Sequence, residues 1–201
     1  MVYFHLKKRV EMFRLKKEMV KTGKIIYELG LIDSHSGNMS IRNEQQVMVT
    51  ASGSKLGYLN LEEIIEFNIN STIPRAASSE TCIHRQIYRK TNADAIIHTH
   101  SFYSLLLSFY YDKIIPEDSE GLFFNPEVPV LDCGSITIGS LCVEENISEL
   151  LIKSPVVIIR GHGVFSAGSN LDQALKHLSS LENSCKLIYF KSTFSKNGRK
   201  T

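Results

Sequence analysis

The chain has 201 residues, of which 43% are hydrophobic and 22% are charged, and its formal net charge is +2. This length and composition predict one globular domain over residues 1–201, with a mobile tail at 191–201. The near-neutral balance gives no strong electrostatic preference for nucleic acid. No apolar run is long enough to span a bilayer, and charges interrupt the N-terminus before any signal-peptide core.

The four cysteines form neither a C-x-x-C pair nor the spacing of a secreted disulfide framework; they are Cys82, Cys133, Cys142 and Cys185. We therefore predict four reduced, mostly buried thiols. Together with the absence of a visible targeting segment, they predict a cytoplasmic protein.

The first half of the chain is predicted to contain a long helix, a strand pair and two shorter helices. The long helix rests on apolar residues that recur three and four apart, and Gly30 is its stop signal. The predicted places are a helix over 10–29, strands over 39–42 and 47–52, a short helix over 59–65, and a helix whose N-cap is Ser78 or Ser79.

The second half alternates apolar strand patterns with amphipathic helices. Asn170 is the predicted N-cap of the last helix, with Gln173 as its capping-box partner. The predicted places are a strand over 95–100, a helix over 101–111, a strand over 128–132, a helix over 143–153, two strands within 155–168 and a helix from 170 to about 190. This mixture predicts a single α/β domain with a mixed, mostly antiparallel sheet between helices.

The stretch AIIHTHS (95–101) places two histidines where a buried strand stops. Side chains two apart on a strand point the same way, so His98 and His100 project together. Two adjacent imidazoles can hold one divalent metal ion, preferably zinc, or they can cap the strand by hydrogen bonds.

Two further residues are candidates for the same centre. His162 follows an apolar strand and lies between two glycines, which let the backbone turn sharply; it is either a third ligand or a structural histidine in a tight turn. Glu80 lies in the first turn of its helix, as either a dipole-compensating residue or a metal ligand and base. His84, one turn later, is predicted to support the site rather than to bind the metal.

Three turns rich in small polar residues lie in SGN (36–38), ASGS (51–54) and SSE (78–80). Each alone is an ordinary turn. Together they offer amides and hydroxyls to one anion, and the predicted helix N-terminus at Ser78-Ser79 favours phosphate. Because this segment leads into Glu80, the pattern predicts a small phosphorylated substrate beside the metal.

The motifs SGNMS, VTASG, SSET, HTHS and GHGVFSAG, in that order, resemble the class II aldolase/adducin family from about Glu11 to Phe190, and are most similar to its L-fuculose-1-phosphate aldolase branch. The resemblance implies a three-layer α/β/α fold and a homotetramer with sites at subunit interfaces. It implies one Zn²⁺ per subunit, although manganese, cobalt or iron would also suit these ligands. The implied residues are His98, His100, His162 and Glu80 for the metal, and Gly37, Asn38, Ser52, Gly53, Ser78 and Ser79 for the substrate phosphate.

The resemblance also implies the reaction, which is reversible cleavage of a ketose 1-phosphate into dihydroxyacetone phosphate and a small aldehyde such as L-lactaldehyde. Glu80 would be a ligand in the empty site and the base during turnover. Glu120 stands about where these aldolases carry a tyrosine acid, so it is the predicted second catalytic residue. The alternatives are that Tyr110 or Tyr111 is the acid and that Glu120 is an ordinary loop carboxylate.

Other members of the family catalyse different reactions or have no catalytic activity. A methylthioribulose-1-phosphate dehydratase is the main alternative, because that enzyme uses a glutamate in the region of Glu120. A sugar-phosphate 4-epimerase fits less well, because this chain has Ser79-Glu80 where the epimerase has S-S-D, and Val164 where it has proline. A non-catalytic adducin-like protein would be expected to lose the metal ligands, which this chain keeps.

Overall fold

The computed structural model describes residues 2–134 and 141–196. Its strands are β1 Asn38–Asn43, β2 Gln46–Thr50, β3 Ile64–Asn68, β4 Ala95–Thr99, β5 Lys113–Ile114, β6 Val128–Leu131, β7 Val156–Ile159 and β8 Gly163–Gly168. Its helices are α1 Val2–Glu28, α2 Thr81–Lys90, α3 Phe102–Ser108, α4 Ser119–Phe124, α5 Leu141–Lys153 and α6 Leu171–Lys196. Within these residues, no helix is both long enough and apolar enough to cross a lipid bilayer.

The eight strands form one sheet in the order β3-β2-β1-β4-β8-β7-β6-β5. In the described part of the chain every pairing is antiparallel except that of β6 with β7. This confirms the predicted mixed, mostly antiparallel sheet. The two central strands, β4 and β8, carry or adjoin the histidines singled out from the sequence.

Helices cover both faces of the sheet, which gives the three layers that the resemblance implies. The alternation of side chains along a strand separates two cores. On β4, Ala95 and Ile97 face the core formed with α1, α3 and α6, whereas Ile96 faces the core formed with α2 and α5. On β7, Val156 and Val157 divide in the same way. Fully buried strands of this kind read as unbroken apolar runs.

The first helix ends where the sequence predicts. Gly30 adopts a φ of +69°, and the Leu31 amide donates to the Ile26 carbonyl at 3.1 Å, which closes the last turn. The helix begins at Val2, eight residues earlier than predicted, because exposed residues such as Leu6 add no apolar periodicity. The last helix likewise continues to Lys196, past the predicted end near Phe190.

Two sequence predictions of local structure are wrong. Residues 59–65 are not a short helix: a 3₁₀ turn at Leu61–Glu63, capped through Asn60, leads into β3, which pairs with β2. Residues 113–124, predicted as a loop, contain both β5 and α4. Their shortness explains the error, because two and six residues carry too little periodicity to detect.

The prediction of four reduced cysteines is also wrong for one pair. Cys133 and Cys142 form a disulfide, with their Cα atoms 5.9 Å apart. Cys133 lies just beyond the end of β6 and Cys142 lies in the first turn of α5, and these two elements contact each other. Cys82 and Cys185 are free thiols.

Candidate metal centre

The histidines lie at one end of the two central strands. His98 is fully buried within β4, and His100 follows the strand and is partly exposed. His162 precedes β8, which pairs with β4 so that His98 lies opposite Phe165. Gly163 allows this approach: a Cβ there would stand 2.4 Å from the Thr99 carbonyl oxygen, so no larger residue fits without a backbone shift.

The three imidazoles converge. Their ring centroids are 5.0 Å apart for His98 with His100, 5.0 Å for His98 with His162, and 5.1 Å for His100 with His162. One nitrogen of each ring lies within 4.8 Å of the other two. The sequence prediction that these three residues share one site therefore agrees with their geometry, and the group is compatible with a metal site.

Hydrogen bonding and burial prepare His98 to act as a ligand. Its Nδ1 lies 2.9 Å from the carbonyl oxygen of Val164. A carbonyl only accepts, so Nδ1 carries the proton and Nε2 presents a lone pair. Burial, followed by the neighbouring histidines, holds the pKa of His98 well below its usual value, and burial also lowers the pKa of His100. Metals bind neutral imidazole, so these shifts favour ligation.

Glu80 lies against two of the imidazoles and is buried. Its Oε2 is 3.2 Å from His98 Nε2, and its Oε1 is 3.3 Å from His162 Nε2. The Asn38 side-chain amide donates to Oε2 at 2.8 Å. Glu80 occupies the N-cap position of α2 but makes no capping hydrogen bond with its side chain. The prediction that Ser78 or Ser79 is the N-cap is therefore wrong, and the carboxylate is directed into the histidine group instead.

The donor set suits a divalent metal ion. Three imidazole nitrogens and a carboxylate match the ligands that zinc prefers, and three protein ligands with a displaceable fourth is the arrangement of catalytic zinc sites. Within residues 2–134 and 141–196, Glu80 Oε1 has no hydrogen-bond partner although it is buried. A buried carboxylate oxygen without a donor is costly, and a cation at this position would remove that cost.

Two of the residues predicted for phosphate binding, Gly37 and Asn38, adjoin the histidine group. Gly37 has a φ of +83°, and a Cβ added there would be 2.7 Å from the His98 carbonyl oxygen. Asn38 pairs directly with His98 across the sheet. The segments of the other two turns lie side by side, since the Ser52 amide donates to the Ala76 carbonyl and the Ser78 amide donates to the Thr50 carbonyl. The outer residues of these turns are exposed: Ser52, Gly53 and Ser79.

Glu120 is not brought into the histidine group. It lies exposed in the first turn of α4, a helix that packs on α6. Tyr110 and Tyr111 are also exposed, beyond the end of α3. All three side chains are therefore accessible from outside the chain, and their predicted role as acid stays a prediction.

The sequence did not predict the side-chain contacts that surround His98 and His84. The ring of Phe165 stacks on His98 with centroids 4.1 Å apart, and the edge of His84 meets the same ring at 5.8 Å. His84 is fully buried, and its Nδ1 lies 2.7 Å from the Ser40 hydroxyl, which also bonds Tyr88. The spacing of His84 and Tyr88, four apart on an apolar helix face, was the available signal for this network.

Comparison with known proteins gives a consistent result over the length of the chain. The profile of the family described as Class II Aldolase and Adducin N-terminal domain matches residues 17–189. An L-fuculose phosphate aldolase from Methanococcus vannielii is 30% identical, covering 90% of this chain and 98% of that protein. The crystal structure of L-fuculose-1-phosphate aldolase from Thermus thermophilus superposes with a TM-score of 0.89 at 29% identity, covering 94% of this chain and 99% of that one.

Relatives with other activities are almost as similar. A 3-oxo-tetronate 4-phosphate decarboxylase from Haemophilus influenzae is 29% identical over 87% of this chain and 86% of its own length. A methylthioribulose-1-phosphate dehydratase from Pseudomonas aeruginosa is 28% identical over 84% of this chain and 90% of its own length. The profile match and the similarity along nearly the whole chain place the protein in the class II aldolase and adducin N-terminal domain family.

Proposed function

We propose that the protein is a metal-dependent lyase that reversibly cleaves a ketose 1-phosphate, similar to L-fuculose 1-phosphate, into dihydroxyacetone phosphate and a small aldehyde such as L-lactaldehyde. The observation that carries this proposal is the convergence of His98, His100 and His162 with the buried carboxylate of Glu80. The similarity to L-fuculose phosphate aldolases supports it.

The three histidines and Glu80 would hold a divalent ion, with Zn²⁺ as the proposed metal. A bound ion would supply Lewis-acid stabilisation of the negative charge that develops on substrate oxygens during cleavage. Glu80 would help to hold the ion in the empty site and, during turnover, would move the proton at the hydroxymethyl carbon of dihydroxyacetone phosphate. The Asn38 amide, which donates to Glu80, would keep the carboxylate aimed at that carbon.

The substrate phosphate would bind at the neighbouring turns. Gly37, Asn38, Ser52, Gly53, Ser78 and Ser79 are the proposed residues. Two contacts support a common location: Asn38 lies opposite His98 in the sheet, and Ser78 accepts a hydrogen bond from the Glu80 amide at 3.4 Å. Ser52 and Ser79 are exposed, so a ligand from solvent could reach them.

The test is an assay for release of dihydroxyacetone phosphate from a panel of ketose 1-phosphates, with protein loaded with zinc. The panel holds fuculose, ribulose, 5-deoxyribulose and methylthioribulose 1-phosphates. We expect release that a chelator abolishes and that Glu80→Gln lowers by about 10²- to 10⁴-fold, the usual contribution of a positioned base. Glu66→Gln, on the edge strand β3, is the control and should keep full activity.

The second candidate function is dehydration of methylthioribulose 1-phosphate. The observation that favours it is that Glu120, rather than a tyrosine, lies exposed on α4, where it could reach a substrate held by another copy. Loss of water from methylthioribulose 1-phosphate without release of dihydroxyacetone phosphate would assign this activity, with Glu120→Gln abolishing it. Loss of carbon dioxide from a 3-oxo-tetronate 4-phosphate would instead match the decarboxylase relative.

We propose further that the protein acts in the cytoplasm as a homotetramer whose sites lie at subunit interfaces. The exposed aromatic side chains of α3 and α6, such as Phe102 and Phe190, support an interface between copies. Light scattering of the purified protein should give about four times the mass of one chain, 22.7 kDa.

A further inference from the structure

Arg160 connects the corner that carries His162 to neighbouring segments of the fold. It follows the last residue of β7 and precedes His162 by two positions. Its backbone amide donates to the Leu131 carbonyl at 2.9 Å, which continues the pairing with β6. Its side chain is only 20% exposed, so it lies within the structure rather than in solvent.

The guanidinium of Arg160 contacts three groups from two segments, the C-terminal end of α3 with its following turn and the end of β6. Its Nη2 lies 2.6 Å from Asp112 Oδ1, in the turn after α3. Its Nε lies 2.8 Å from Asp132 Oδ2, just past β6. Its Nη1 donates to the carbonyl oxygen of Ser108, the last residue of α3. Nη1 and Nη2 donate hydrogen bonds, whereas the contact of Nε with Asp132 is an ion pair without hydrogen-bond geometry. A planar guanidinium can approach these groups in several directions at once, whereas a lysine ammonium can meet only part of the set.

A second contact fixes the next residue. The backbone amide of Gly161 donates to the Ser108 hydroxyl at 3.0 Å. Gly161 has a φ of +67°, and the His162 amide then closes a turn on the Ile159 carbonyl at 3.0 Å. The corner that carries His162 is therefore attached to the end of α3 at two consecutive residues.

The other end of α3 adjoins the first two histidines. This helix begins at Phe102, two residues after His100. Glu182 on α6 accepts hydrogen bonds from the amides of Tyr103 and Ser104, at 2.8 and 2.9 Å, and so holds this end in place. A short, fixed helix thus spans the distance between His100 and the corner of His162.

We propose that Arg160 is a positioning residue for the metal centre: its contacts with Ser108, Asp112 and Asp132 hold the corner so that the His162 ring faces His98 and His100. This inference rests on the proposed metal-dependent function. The guanidinium contacts these three residues rather than the imidazoles, so Arg160 acts through the backbone of the corner. Its loss would let His162 move away from the ion more often, and the ion would dissociate faster.

The test follows binding of Co²⁺, which replaces zinc and gives a visible absorption that depends on ligand geometry. The variant is Arg160→Met, which keeps much of the side-chain volume and removes the donors. Asp112 and Asp132 are 97% and 54% exposed, so the variant leaves no buried carboxylate unpaired. The measurements are the Co²⁺ spectrum, the rate of Co²⁺ loss to an excess of chelator, and the unfolding midpoint of the metal-free protein.

Arg42→Met is the matched control. The side chain of Arg42 is also 20% exposed, and it too bonds a carboxylate and a carbonyl, those of Asp94 and Tyr88. It lies toward the end of β1 that is remote from Asn38 and the histidines. A general loss of stability would therefore affect the two variants alike, whereas loss of positioning would affect Arg160→Met alone.

We expect Arg160→Met to raise the rate of Co²⁺ loss about tenfold, at the lower end of the effects seen for residues that orient ligands, and to alter the spectrum. Arg160→Lys should restore part of the difference, and Arg42→Met should retain the wild-type rate. An unchanged rate in Arg160→Met, or an equal rise in Arg42→Met, would overturn the proposal. If Arg160→Met does not fold, Ser108→Ala decides: it should speed Co²⁺ loss by a smaller factor, and no change would overturn the proposal.

Failure of the proposed function would look different. Wild-type protein that binds no Co²⁺ would refute the metal centre, and the role of Arg160 with it. Wild-type protein that binds Co²⁺ tightly but cleaves no ketose phosphate would refute the proposed reaction alone, and the comparison of dissociation rates would still decide the role of Arg160.

Discussion

Two buried histidines contact the ring of Phe165, and their Nδ1 atoms have different partners. His98 and His84 are both fully buried, both contact this ring, and burial lowers the pKa of each. His98 bonds a backbone carbonyl through Nδ1, which leaves its Nε2 free to bind a metal. His84 bonds the hydroxyl of Ser40, which can donate or accept, so neither nitrogen is committed. Burial is the same for both histidines, so we distinguish the potential ligand His98 from the supporting residue His84 by their Nδ1 partners, a carbonyl and a hydroxyl.

The largest expected effect comes from removing the Phe165 ring, which both histidines contact. Phe165→Ala should lower the free energy of unfolding by about 3–5 kcal/mol, because it leaves a cavity against both histidines. It should also weaken Co²⁺ binding, since His98 loses the surface on which it stacks. Chemical denaturation of the metal-free protein and Co²⁺ titration measure the two effects.

Phe67→Ala provides the control for that change. Phe67 is buried in the same core as Phe165 but lies on the edge strand β3. It should cost a comparable part of the stability and leave Co²⁺ affinity unchanged. Equal losses of affinity in the two variants would mean that the ring of Phe165 has no specific role at the site.

The next effect tests the two histidines directly. His98→Gln should weaken Co²⁺ binding by at least about 100-fold, or about 2.7 kcal/mol, because it removes a ligand. His84→Gln should weaken binding by less than about tenfold, because a glutamine amide can still bond Ser40. Competition with a chromophoric chelator measures both affinities. Similar losses in the two variants would contradict the distinction drawn from their Nδ1 partners.

The smallest effect is the pH dependence that the two histidines share. Burial lowers the pKa of His84 from 6.5 to about 3, so below pH 6.5 the unfolded chain binds a proton that the folded chain does not. The free energy of unfolding of the metal-free protein should therefore fall as the pH drops from 6.5, with a limiting slope of about 1.4 kcal/mol per pH unit for each such histidine. His98 and His100 act in the same direction.

Denaturation at pH 7.5, 6.5 and 5.5 measures this slope, in a range above the titration of most carboxylates. His84→Gln should make the curve shallower between pH 6.5 and 5.5 and leave it unchanged above pH 7. A wild-type stability that rises on acidification would show that these imidazoles become charged in the folded protein.

The sequence predicts the grouping of the three histidines because the evidence for it is local. Two histidines two apart at the end of an apolar run must lie on one side of a strand, and a histidine between glycines marks a tight corner. The central strands β4 and β7 follow for the same reason, since each contains a run of apolar residues. The direction of the Glu80 side chain does not follow, because the same residue in a first helical turn often serves as a cap.

Contacts between distant segments are what the sequence leaves undetermined. Phe165 meets His98 because of the register between β4 and β8, which no local pattern fixes. The partners of Arg160 come from two segments far apart in the chain, and the Cys133–Cys142 disulfide depends on where β6 and α5 meet. Such contacts are set by the packing of the whole domain, and the local propensity of each segment is compatible with many of them.

The central position of β8 has a consequence for the protein during its synthesis. β8 inserts between β4 and β7, and 66 residues separate His98 from its hydrogen-bond partner Val164. A ribosome delivers β4 well before β8. Until β8 is synthesised, the side of β4 that will pair with it is an open edge that other nascent chains can join. A metal site of the proposed kind could form only after β8 is synthesised, because His162 and the Val164 carbonyl that orients His98 arrive together with that strand.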